Sequence, residues 1–143
     1  MISLNAKLFV GVSVFAALGA VPVNVHAATQ QVGCKYITGL HAVIMNLNNL
    51  VHQMPKLSSQ QAHSQGLAVD LQFAHFDRKA TPLPVDLNRA FAATVQNLED
   101  GAAFRERHNT DQYNHFYNQT HKYLTATWSA YQKHYGNAGC KKA

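Results

Sequence analysis

The sequence predicts an all-α fold: an antiparallel up-down-up-down four-helix bundle closed by one disulfide between its chain ends. Three observations predict it. Apolar residues recur at steps of three and four through four long segments. Short stretches bearing proline, glycine or capping residues separate those segments. The two cysteines, Cys34 and Cys140, lie at opposite ends of the helical region. In an up-down-up-down bundle the start of the first helix and the end of the fourth share one end, so the two thiols can meet.

Residues 1–27 stand apart from the fold. Lys7 supplies a positive n-region, Leu8 to Val21 forms an apolar h-region of 14 residues, and Val25-His26-Ala27 is a small-x-small cleavage site. The reading is a secretory signal peptide cut after Ala27, which places the mature domain, residues 28–143, in the periplasm. An exported chain with two cysteines is expected to pair them. No further membrane segment is expected after cleavage.

Each element then has its own grounds. Ile37, Leu40, His41, Ile44, Leu47 and Val51 line one face of a first helix, which Met54-Pro55 ends. Ser58 and Ser59 are natural caps for a second helix, with Gln61 three beyond Ser58 as a capping-box partner, and this helix is expected to run to about Asp77. Leu67, Val69, Leu71 and Phe73 also alternate with period two, but the polar run before them favours helix. Pro82 and Pro84 break the chain. Asp86 is expected to cap the third helix, whose stripe is Leu87, Ala90, Phe91, Thr94, Leu98 and Ala102; Gly101 is a weak interior point or a helix end. Asn109 or Thr110 caps the fourth, Gly136 ends it, and Tyr113, Tyr117, Leu124, Trp128, Tyr131 and Tyr135 form its apolar face.

Composition narrows the function. The whole chain carries 12 Lys and Arg against 7 acids, and loss of Lys7 leaves a net charge of about +4. The basic residues never exceed two in a row, which speaks against nucleic acid and against a membrane surface. No nucleophile elbow, zinc-protease helix or phosphate loop is present, so the chain reads as a non-enzyme.

Two stretches resemble the soluble periplasmic cytochrome b562 family of four-helix bundles. Arg78-Lys79-Ala80-Thr81-Pro82 is similar to that family's loop between helices 2 and 3, and Leu124, Thr127, Ala130-Tyr131 and Tyr135 are similar to its final helix. The resemblance implies noncovalent haem b, single-electron transfer and a redox partner protein. It implies a Met from helix 1 and a His from helix 4 as iron ligands. The family's His follows the Ala-Tyr pair, where this chain has Gln132; the nearest His is His134. The family's Met falls on Ile44, beside Met45 and one turn after His41. The haem-binding candidates are therefore His134, His41 and Met45. There is no C-x-x-C-H for covalent attachment.

An alternative needs no haem: a periplasmic binding or interaction protein that takes a divalent metal through surface histidines. The mature chain holds eight His, and imidazole suits Zn, Cu and Ni. No two of them stand three or four apart on one helix. Asp111 with His115 has that spacing and is the metal candidate.

Overall fold

A computed structural model describes residues 32–140. The expected leader over residues 1–27 and its cleavage point lie outside the described residues. Those described form four α-helices and no strand: α1 (Cys34–Gln53), α2 (Ser59–Ala74), α3 (Val85–Glu106) and α4 (Thr110–Tyr135). Helix, rather than strand, is what forms over Leu67 to Phe73. None of the described helices is long and apolar enough to cross a membrane.

Local chemistry sets most boundaries. α1 gives way to a 3-10 turn, Met54–Lys56, in which Pro55 needs no donor. Ser58 then builds the full capping box: its hydroxyl accepts from the Gln61 amide at 3.0 Å, and the Gln61 side chain accepts from the Ser58 amide at 2.9 Å. α2 stops at Ala74, three residues before the expected end. Beyond it Asp77 accepts from the Leu83 amide at 2.9 Å, and Arg78 and Thr81 exchange backbone hydrogen bonds. Those bonds use the chain for a turn instead of another turn of helix. The cap of α3 also differs from expectation. Pro84 occupies the N-cap position, and Asp86, inside the first turn, accepts from the Leu87 amide at 2.9 Å.

α3 ends on His108, which takes a left-handed φ of 58°. The His108 amide bonds back to Arg105 and the Asn109 amide to Phe104, the paired bonds of a Schellman cap. Asn109 immediately caps α4 by accepting from the Gln112 amide at 3.1 Å. Two helix ends are thus served by adjacent residues, and the α3–α4 connection is correspondingly tight.

The principal helix contacts join α1 with α2, α2 with α3, α3 with α4, and α4 with α1, the α3–α4 pair being the most extensive. Leu40, Ile44, Leu47 and Val51 of α1 and Phe91, Val95 and Leu98 of α3 are almost completely buried in the core. Phe73 stacks flat on Phe91 with ring centroids 3.8 Å apart. The predicted Cys34–Cys140 disulfide is present, with Cα atoms 5.3 Å apart.

Candidate functional site

The disulfide-bridged end is built from aromatics. Tyr36 donates to the Phe76 carbonyl at 2.7 Å and Tyr131 to the Ile37 carbonyl at 3.4 Å. Tyr135 packs beside both rings. Burial pushes the hydroxyls of Tyr36, Tyr131 and Tyr135 above the ordinary phenol range, Tyr135 furthest. His41 sits one layer in. It is 7% exposed, with its ring centroid 5.2 Å from Trp128 and 5.6 Å from Tyr131. His41 therefore packs against two large rings of α4.

His134 faces elsewhere. Its Nε2 lies 2.8 Å from Asp86 Oδ1 in the first turn of α3, and Lys133 Nζ lies 3.6 Å from the other carboxylate oxygen. Desolvation works to raise the Asp86 carboxyl, but the His134 hydrogen bond and charge, the Leu87 amide and Lys133 together hold it below the usual range. The structure thus gives the candidate ligands separate partners: His41 lies against Trp128 and Tyr131, His134 is tied to α3, and Met45 is partly open to solvent. Gln132 is exposed and lines an open surface groove with Trp128, Ser129 and Lys133.

Asp111 and His115 are both exposed near the start of α4, and His115 lies edge-on to Phe116 at 5.1 Å. Among the described residues no group of three or more His, Cys, Asp or Glu is placed to hold a metal ion.

The sequence analysis missed a pair that does come together. His52 in the last turn of α1 and His121 in the middle of α4 have ring centroids 6.5 Å apart, at 84° to one another. His52 Nδ1 lies 2.8 Å from the Asn48 carbonyl oxygen. His121 Nε2 is buried without a hydrogen-bond partner, and its ring lies 4.5 Å from Tyr117. Burial, then the neighbouring His52, pushes the His121 imidazole below the usual histidine range. Spacing within single helices, the test applied to the histidines, is blind to a pair spanning two helices. The usable signal was the disulfide, which fixes how α1 lies against α4. A second cross-helix pair, His63 on α2 and Glu99 on α3, closes to 2.6 Å, and the nearby Asp70 carboxyl is raised by burial and by the Glu99 charge. Comparison of the chain with known protein families, characterised proteins and solved structures finds no match.

Proposed function

We propose that this chain is an exported up-down-up-down four-helix bundle that works in the periplasm as a haem-free binding or interaction protein, and not as an enzyme. The topology is supported by contacts between helix ends. Tyr36 at the start of α1 bonds Phe76 just past the end of α2. The Ser59 amide at the start of α2 bonds Glu106 at the end of α3, at 2.8 Å. Asp86 at the start of α3 meets His134 near the end of α4. Cys34 and Cys140 complete the circuit.

The observation that carries the haem-free reading is the commitment of His134 to Asp86 while His41 is packed against Trp128 and Tyr131. These separate partners support a reading without a haem b held between His41 and His134 or between Met45 and His134. Haem titration of the purified chain is the test. No Soret shift and no low-spin α and β bands on reduction are expected. A low-spin spectrum abolished by His41→Ala or His134→Ala would overturn this reading in favour of a cytochrome with a redox partner. A weak divalent-ion site at Asp111 and His115 belongs to the same reading, and calorimetry with His115→Ala tests it separately.

A further inference from the structure

α1 and α4 run past each other from the disulfide inward, with His41 on Trp128 and, further along, His52 beside His121. We propose that His52 and His121 form a two-imidazole site for a first-row divalent transition-metal ion, Zn2+ or Cu2+, that clasps α1 to α4. The site extends the metal-binding part of the reading above to residues that reading does not use. It does not depend on the haem question, which optical titration answers by itself.

One ion can join the two rings after a local movement of His52. An imidazole nitrogen lies roughly 1.1 Å from its ring centroid and a Zn–N bond is about 2.0–2.1 Å, so two rings on one ion stand at most about 6.4 Å apart. That limit is reached only with the two nitrogens opposite one another; at a tetrahedral angle the centroids stand about 5.2 Å apart, so the observed 6.5 Å requires the His52 ring to swing inward by about 1.3 Å. His52 is exposed in the last turn of α1, so its side chain is free to make that movement.

The hydrogen bonds fit as well. A carbonyl oxygen only accepts, so the 2.8 Å contact to Asn48 assigns the proton of His52 to Nδ1 and leaves the Nε2 lone pair for a metal. A backbone carbonyl behind the distal nitrogen is the arrangement that orients histidine ligands and fixes their tautomer. On the other side, His121 Nε2 is a buried polar atom with no hydrogen-bond partner, which a bound ion would satisfy. Tyr117 covers one side of the His121 ring. No thiolate is free to compete, because both cysteines are in the disulfide. Water completes the coordination shell, and Cu2+ binds more tightly than Zn2+, as the usual order for imidazole sites requires.

The experiment uses the oxidised chain with no affinity-tag histidines. Calorimetry with zinc chloride and with a copper(II) salt at neutral pH is expected to give one tighter site per chain, apart from the weak Asp111–His115 site. Electron paramagnetic resonance of the copper form is expected to show hyperfine splitting from two imidazole nitrogens. Loss of an outer partner of a histidine ligand already costs about 10–100-fold in affinity, so His52→Ala and His121→Ala should each cost at least about tenfold. His115→Ala should leave the tighter site intact. Because His121 is partly buried, circular dichroism of its variant is read alongside; His52 is exposed, so His52→Ala carries the test even if the other variant unfolds. Zinc should also raise the melting temperature of the parent chain and not that of His52→Ala. Absence of binding, wild-type affinity in His52→Ala, loss of binding in His115→Ala, or a copper spectrum with a single imidazole nitrogen would each overturn the proposal.

Discussion

Buried hydroxyls account for several residue-scale departures from the apolar stripes. Thr120 and Thr127 are fully buried on α4, whereas Tyr113 and Tyr117 are only half-buried. Each threonine donates to a carbonyl one turn earlier, Phe116 for Thr120 at 2.7 Å and Tyr123 for Thr127 at 2.8 Å. Its polar atom is satisfied inside its own helix, so the side chain can be buried. Residue type alone does not reveal that, which is why the aromatic stripe was drawn too far toward the start of α4. Gly101 was seen in sequence as a weak point, and its use became visible only in packing. A Cβ there would collide with the Met54 methyl and stand 3.2 Å from Phe116 Cβ. Gly101→Ala is therefore expected to destabilise by about 1–3 kcal/mol through overpacking, despite the gain of about 1 kcal/mol in helix propensity. Urea unfolding decides the sign. The tyrosines give a pH dependence. Their folded pKa values are raised, so their contribution is complete below the unfolded value of about 10 and is lost as pH rises through the folded values. Stability should hold below about pH 10 and fall as the pH rises above it, and Tyr135→Phe should reduce that fall.

Among the elements, α2 is the most instructive. The period-two alternation of Leu67, Val69, Leu71 and Phe73 resolves on a helix into two faces. Val69 and Phe73 are buried, while Leu67 is 50% and Leu71 64% exposed. A strand would have placed all four on one side, so the exposure follows from the helical period itself. Phe73→Ala is expected to cost about 3–5 kcal/mol, because it removes the ring stacked on Phe91. Leu71→Gln should stay within about 0.5 kcal/mol. Equal losses in denaturant midpoint for the two would contradict this assignment of faces. Helix starts were well written in the sequence where a side chain makes the cap, as at Ser58 and Asn109. They were less so at α3, where proline geometry rather than Asp86 opens the helix.

For the molecule as a whole, the two cysteines were the most informative residues in the chain. Their pairing was legible because so few partners were available, and it constrained helix number and direction together. The candidate site was far less legible. His52 and His121 stand on the first and last helices of the bundle, and only the relative register of α1 and α4 brings them close. Closing a loop of 106 residues is worth about 4–5 kcal/mol in the chain-entropy model. Replacing both cysteines by alanine should lower unfolding free energy by about that amount, with the helical circular dichroism of the folded state retained. The same bond also decides how the protein answers mechanical load. A pull applied through the two chain ends passes across a covalent bridge and never reaches the helix contacts. In a single-molecule stretching experiment the oxidised domain should show no unfolding step. Adding reductant should release the 106 residues between the cysteines, about 350–380 Å of contour length. Tension on its termini bypasses the fold as long as the bridge is intact.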